Sequence, residues 1–129
     1  MKMLDAINKT TRLICLLLII GAVSCKKKTT LDVNKDLTAC GVKDPLNNLG
    51  WLNAEFKLLK GDANTSGIIL YNYNGSEVIE IQDAVFSSTN QHQYYCDGIK
   101  LNLDEPSDFN KFKQERKLIS VMYGTNIWK

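Results

Sequence analysis

An apolar run near the N-terminus constrains this chain more than any other feature. Residues 13–23 contain no charged side chain, and the segment before them carries Lys2, Lys9 and Arg12 against Asp5. A membrane-spanning helix needs roughly twenty such residues, whereas the apolar core of a signal peptide needs only about 7–15. The run therefore predicts a signal peptide over residues 1–24 and export of the remainder.

The residues that end this run are small and lead directly to a cysteine. The sequence Ala22-Val23-Ser24-Cys25 resembles the bacterial lipobox, whose cysteine is acylated and becomes the first residue of the mature chain. The resemblance implies cleavage before Cys25 and a membrane anchor made of acyl chains such as palmitate on that residue. Several acyl chains give stable anchoring, since each buried methylene contributes about 0.8 kcal/mol. An uncleaved signal anchor and a plain secreted protein are the alternatives.

The mature chain is small and has no net charge. Removal of residues 1–24 leaves 105 of the 129 residues, enough for one small domain. The sequence has 16 Lys and Arg and 14 Asp and Glu; the signal takes three and one of these, which leaves 13 of each. Because nucleic acids bind basic surfaces, no nucleic-acid partner is expected.

A polar segment follows the expected lipidation site. Residues 25–39 show no apolar periodicity and are predicted to form a flexible tether, with a single domain over residues 40–129. Lys26, Lys27 and Lys28 are either a solvated spacer or an added attraction to anionic headgroups. Lipoproteins that the signal resembles often carry acidic residues here when they reach the cell surface. We therefore expect the periplasmic face of the outer membrane.

Two of the four cysteines are left to form a disulfide. Cys15 leaves with the signal and Cys25 is expected to carry lipid, so Cys40 and Cys96 remain. In an oxidising compartment such a pair usually forms a disulfide, here closing a loop of about 57 residues that contributes about 4 kcal/mol in the chain-entropy model. A reactive thiol pair is the alternative, although no CxxC spacing supports it.

A helical pattern opens the predicted domain. Asp44 is a suitable N-cap and Pro45 suits the first helical position, while Gly61 is predicted to end the helix. Gly50 interrupts the pattern, so the first turn is expected to be separate. Apolar residues recur at intervals of three and four and predict the buried face. These residues are Leu46, Leu49, Leu52, Phe56 and Leu59.

Strand patterns fill most of the remaining sequence. Asn74-Gly75 is the strongest short hairpin signal, and Asp97-Gly98 predicts a second tight turn. A second helix is predicted to start near Pro106. The predicted strands are residues 68–73, 77–81, 92–96, 99–103 and 118–123. The order α-β-β-β-β-α-β predicts an α+β fold with an antiparallel sheet of about four to five strands and the helices packed on one face.

Two short motifs in this region resemble a known group of proteins. The segment DPLNNLGWL at 44–52, preceded by Cys40, and the segment YYCDG at 94–98 resemble small bacterial lipoproteins with an (N/D)-P-L-x-x-L-x-W-L segment and a Tyr-x-Cys-Asp-Gly turn. The resemblance spans most of residues 40–123. It supports the disulfide and the α+β architecture and implies no substrate, because that group has no assigned activity.

Few residues suggest chemistry, and no cofactor motif is found. His92 is the single histidine and is interpreted as an ordinary strand residue, which argues against a His-based metal site. Residues 62–67 match the first half of a calcium loop, but its twelfth position is Tyr73 instead of a bidentate Glu, so a plain loop is favoured. Five aromatic residues form either a binding platform or ordinary core. They are Tyr71, Tyr73, Tyr94, Tyr95 and Trp128.

The sequence favours a lipid-anchored binding module over an enzyme. An anchor, a tether and a small domain without a catalytic constellation suggest a non-enzymatic module that meets a protein or glycan of the cell envelope. Two alternatives are a small hydrolase with an unassigned carboxylate or tyrosine site and a carbohydrate-binding accessory protein. Clustered carboxylates in a deep pocket would favour the hydrolase, and an exposed row of aromatic rings would favour carbohydrate binding.

Overall fold

The computed structural model describes residues 33–129, so the predicted signal peptide, Cys25 and the three lysines after it lie outside the described residues. The elements are β1 (Thr38–Ala39), β2 (Val42–Lys43), α1 (Pro45–Asn48), α2 (Gly50–Leu58), β3 (Ser66–Tyr73), β4 (Ser76–Asp83), β5 (Gln93–Tyr95), α3 (Pro106–Glu115) and β6 (Lys117–Gly124). The main sheet has the order β5-β4-β3-β6, and every neighbouring pair is antiparallel. The predicted α+β class is therefore confirmed.

The central hairpin of the sheet forms where the sequence predicts it. Asn74 and Gly75 both have positive φ angles, 51° and 82°, and Tyr73 pairs with Ser76 across the turn. Two positive φ angles suit the right-handed twist of paired strands, and Asn-Gly adopts them with little strain. The register then places Ile68 opposite Ile81.

The strand predicted over residues 99–103 is absent. Lys100 makes a single bridge to Tyr94, and the Leu101 amide donates to the Gln93 carbonyl, after which the chain leaves the sheet. Leu101 and Leu103 are nevertheless buried, in a cluster with Phe112 of α3. Leu101 and Leu103 therefore alternate with exposed residues because one side of an extended segment is buried, although that segment does not pair as a strand.

The first helical region is divided, as predicted. Leu49 has an extended backbone, which separates α1 from α2. Asp44 occupies the N-cap position in a left-handed conformation, without a side-chain capping bond. The prediction that Gly61 ends the helix is wrong: α2 ends at Leu58, and the Gly61 amide donates instead to the carboxylate of Asp83.

The helices cover both faces of the sheet, which corrects the prediction that they pack on one face. Leu52 of α2 lies in one apolar cluster with Ile68 and Leu70, and we call this side the α2 face. Phe112 of α3 lies in a second cluster with Ile69, and we call this side the α3 face. Neighbouring strand residues point to opposite sides, so the two clusters must lie on opposite faces. The periodicity of a helix shows which of its own sides is apolar, but it does not show which face of the sheet that side covers.

The domain was predicted to start at residue 40, but residues before Cys40 also belong to it. Val33 forms a bridge with Tyr123, and the Asn34 amide donates to the Met122 carbonyl. Ala39 of β1 is buried in the core of the α2 face. Residues 33–39, predicted to belong to the tether, are thus packed on the edge strand β6 and on the core.

Candidate functional site

The predicted disulfide is present. Cys40 lies in the tight turn between β1 and β2, with φ 55°, and Cys96 directly follows β5. The two sulfur atoms are 2.09 Å apart. The bond ties the N-terminal hairpin to an edge of the main sheet, and the indole Nε1 of Trp51 adds a hydrogen bond of 2.9 Å to the Cys96 carbonyl.

A carboxylate accompanies this disulfide. Ligand atoms of Cys40, Cys96 and Glu77 all lie within 4.8 Å of one another, and all three residues are half-buried. Thiolate and carboxylate groups are zinc ligands in proteins. Here each sulfur is bonded to the other, so neither offers a thiolate and the cluster is closed to a metal in this oxidised state.

A groove lies between α2 and the segment that leads into β5, and we call it the α2–β5 groove. Its volume is about 400 Å³. The lining is mostly apolar and aromatic, with one acid and one base. The lining residues are Glu55, Leu58, Leu59, Ile81, Phe86, His92, Tyr94 and Lys100. The sequence analysis singles out Leu59, His92 and Tyr94 among them and does not predict that they meet.

A large exposed apolar side chain lies in this groove. Leu58, which lines it, is 71% exposed. Val85 is 67% exposed and precedes the lining residue Phe86, while Ile99 is 64% exposed and precedes the lining residue Lys100. An exposed apolar side chain at a concave, mostly apolar site is typical of a surface that binds a partner.

His92 stacks in the wall of the groove. It directly precedes β5, and its ring lies 3.9 Å from that of Phe86 at an interplanar angle of 10°. Burial lowers the pKa of His92, and the positive charge of Lys100 lowers it further. Both effects favour the neutral ring, which forms a flat, half-buried part of the wall. The sequence analysis interprets His92 as an ordinary strand residue, and the structure places it immediately before β5.

The five aromatic residues considered as a platform are not brought together. Tyr71 and Tyr73 contact Phe112 on the α3 face, with ring centres 6.2 and 5.1 Å from it. Tyr94 lies on the α2 face, 5.3 Å from Trp51. Tyr95 is exposed, and Trp128 approaches Phe86. No exposed row of rings results from these five residues.

The partial calcium motif is an ordinary loop. Oδ1 of Asp62 accepts hydrogen bonds from the amides of Asn64 and Thr65, and the Ser66 hydroxyl donates to the Asp62 carbonyl. Tyr73, at the position where a calcium loop needs a carboxylate, is at the far end of β3. These internal bonds start the strand and need no cation.

A buried polar network on the α3 face was not predicted. Glu80 of β4 and Arg116, which follows α3, form a salt bridge of 2.7 Å between side chains that are 1% and 8% exposed. The amides of Gln82 and Gln93 each donate 2.7 Å hydrogen bonds to the same carboxylate. With these donors around it, the Glu80 carboxylate is fully engaged within the protein.

The C-terminal tail, residues 125–129, closes this network. The side chain of Asn126 accepts from Gln82 and donates to the hydroxyl of Tyr71, and Arg116 donates to the Trp128 carbonyl at 2.7 Å. Burial raises the pKa of Tyr71, and the nearby charge of Glu80 raises it further. The phenol therefore stays protonated. The arrangement fixes the tail and leaves no opening for a substrate at Glu80.

Comparison of the chain with models of protein families, with curated proteins and with solved structures found no match. Within residues 33–129, no helix is long and apolar enough to cross a membrane. The function must therefore be argued from the chain's own residues.

Proposed function

We propose that this chain is a lipid-anchored binding module of the cell envelope, which holds a segment of a partner protein in the α2–β5 groove. The observation that carries the proposal is the side chain of Leu58, 71% exposed in the lining of a mostly apolar groove. Isolated exposed apolar residues are common, but one placed in a concave apolar lining favours a protein contact.

The chemistry of the groove suggests what the partner presents. Leu59, Ile81 and Tyr94 are buried parts of the lining and favour a bulky apolar side chain. Lys100, whose Nζ lies 5.8 Å from the centre of the Tyr94 ring, is a cation beside this apolar floor. We therefore infer a partner segment that inserts an apolar side chain and places an acidic or carbonyl group near Lys100. Such anchor residues in pockets carry most of the energy of many interfaces.

Other features of the described residues favour binding over catalysis. Glu80 is fully buried, and its carboxylate is paired with Arg116, which is bonded to the C-terminal tail. His92 in the groove stacks on Phe86, and the lining residues include no Ser, Thr or Cys that it could activate. The five aromatic residues considered for a glycan platform are divided between different parts of the described domain.

The anchor and the groove are tested separately. Replacement of Cys25 by Ser removes the acylated atom, so the protein should move from the detergent phase to the aqueous phase on partitioning. A variant that stays with the membrane would place the anchor elsewhere and would leave the groove proposal standing.

The groove is tested with a matched pair of substitutions. Leu58→Asp puts a charge into the groove, whereas Leu118→Asp makes the same change at a residue 57% exposed on β6, the opposite edge of the sheet. Proteins retained by the anchored wild-type chain should be retained by Leu118→Asp and lost by Leu58→Asp. With the purified partner, Leu58→Asp should weaken binding at least about tenfold. Equal binding by both variants would refute the groove as the site.

A further inference from the structure

Glu77 of β4 lies beside the disulfide, at a position that the proposed binding function does not use. Its Oε2 accepts a hydrogen bond of 2.7 Å from the amide of Cys40. The same oxygen lies 3.8 Å from Sγ of Cys96, and the Glu77 carbonyl oxygen lies 3.9 Å from that sulfur. Two oxygen atoms, one of them carrying carboxylate charge, thus face one side of the disulfide.

The chemistry of disulfide exchange gives this position a consequence. A thiolate attacks one sulfur, a new mixed disulfide forms, and the other sulfur leaves as a thiolate. Negative charge is spread over the three sulfur atoms while the bonds change. A fixed negative charge about 4 Å away opposes that charge, and the effect is larger in a half-buried site than in water. Cationic neighbours, which activate cysteines, have the opposite effect.

We propose that Glu77 is an electrostatic shield that slows attack of thiolates on the Cys40–Cys96 disulfide. The hydrogen bond to Cys40 holds the carboxylate in place, so the shield is fixed by the fold. The class of reagent it excludes is anionic thiolates, including the reactive thiolates of exchange enzymes. The proposal is independent of the lipid anchor and of the groove.

The decisive variant is Glu77→Gln, which keeps an oxygen that can accept from the Cys40 amide and removes the charge. The rate of disulfide opening is measured on the folded protein with two reagents, 2-mercaptoethanol at pH 8 and the uncharged phosphine tris(hydroxymethyl)phosphine. Glu77→Gln should speed the thiolate reaction by about tenfold, which corresponds to removal of about 1.4 kcal/mol of repulsion. The phosphine brings no negative charge, so its rate should change by less than about threefold.

Two controls separate charge from loosened structure. Glu77→Asp retains the charge with a shorter side chain and should react with the thiol at close to the wild-type rate, while Glu115→Gln removes a distant exposed charge and should change neither rate. Equal acceleration of the thiol and phosphine reactions in Glu77→Gln would mean that the substitution merely exposes the disulfide. That result, or an unchanged thiol rate, overturns the proposal.

Discussion

On the α2 face of the sheet, Leu52 packs against Ile68 and Leu70, and the buried polar side chains Ser66 and Asp83 are paired at the end of β3 and β4. On the α3 face the same strands bury Glu80 and Gln82 beside Ile69 and Tyr71, and none of these four is more than 3% exposed. Both faces exclude water, but on the second a carboxylate lies in the middle of β4, where it must find partners within the protein. A buried carboxylate without partners is far more costly than a missing methyl group.

The difference extends to what each face holds in place. The α2 face fixes one wall of the α2–β5 groove, because Leu59 and Ile81 belong both to the core and to the lining. The α3 face fixes the C-terminal tail through Gln82, Arg116 and Asn126. Substitutions on the two faces should therefore have distinguishable effects, and four of them test this.

The largest effect is expected at the salt bridge. Glu80→Ala leaves Arg116 buried without its partner and should lower the free energy of unfolding by about 3–5 kcal/mol. Denaturant melts measure this loss. Glu115→Ala, an exposed acid at the end of α3, should stay within about 0.5 kcal/mol of the wild type. The double variant Glu80→Leu with Arg116→Met should lose less than Glu80→Ala, and a larger loss would argue against the desolvation account.

The apolar face is tested on α2. Leu52 is fully buried and Leu58 is 71% exposed, so Leu52→Ala should cost about 2–5 kcal/mol and Leu58→Ala under about 1 kcal/mol. The same denaturant melts, with the disulfide intact, compare the two. Equal losses would mean that the exposed side of α2 is covered in solution.

A smaller loss is expected where the tail meets the α3 face. Asn126→Ala removes the group that bonds both Gln82 and the hydroxyl of Tyr71, leaving two buried polar groups with one partner fewer. The expected loss is about 1–3 kcal/mol. Asn110→Ala, at an exposed position of α3, is the control and should be neutral. An unchanged Asn126→Ala variant would show that water replaces the amide.

The smallest effect concerns pH and the groove. Because the pKa of His92 is lowered in the folded state from its ordinary 6.5, the unfolded chain takes up a proton more readily as the pH falls. Stability should therefore decrease as the pH falls through about 6.5 towards the lowered folded-state pKa. His92→Gln removes the single histidine, so its unfolding free energy should vary less between pH 7.5 and about 5.5. Parallel pH profiles of the two proteins would contradict this assignment.

The comparison of the faces also explains which features the sequence could predict. Asn74-Gly75 and the alternation in β4 are local signals, and the hairpin formed at the predicted turn. The alternation of Ile79 and Ile81 with Glu80 and Gln82 matches the two faces of β4. It could not predict that the polar side is buried too, because Arg116, the partner of Glu80, is 36 residues away in the sequence.

In the candidate site, too, one feature could be predicted from the sequence and another could not. The disulfide could be predicted because elimination left two cysteines. The groove could not, since Leu58 and Lys100 come together only through the packing of α2 beside β5. The strand predicted over residues 99–103 was wrong because Leu101 and Leu103 are buried in an extended segment that is not paired in the sheet. Such a segment shows the same alternation of buried and exposed residues as a strand.

The contact of Val33 with β6 has a mechanical consequence. In the proposed anchored state seven residues separate Cys25 from Val33, which makes eight Cα–Cα steps, so Val33 can lie no more than about 28 Å from the lipid attachment. Tension on this connecting segment would first separate Val33 and Asn34 from β6 and would then reach Cys40. There the disulfide diverts the force to Cys96, beside the strand β5 whose Tyr94 lines the groove. A pull between membrane and bound partner would thus pass through the Cys40–Cys96 bond before it reaches the lining of the groove.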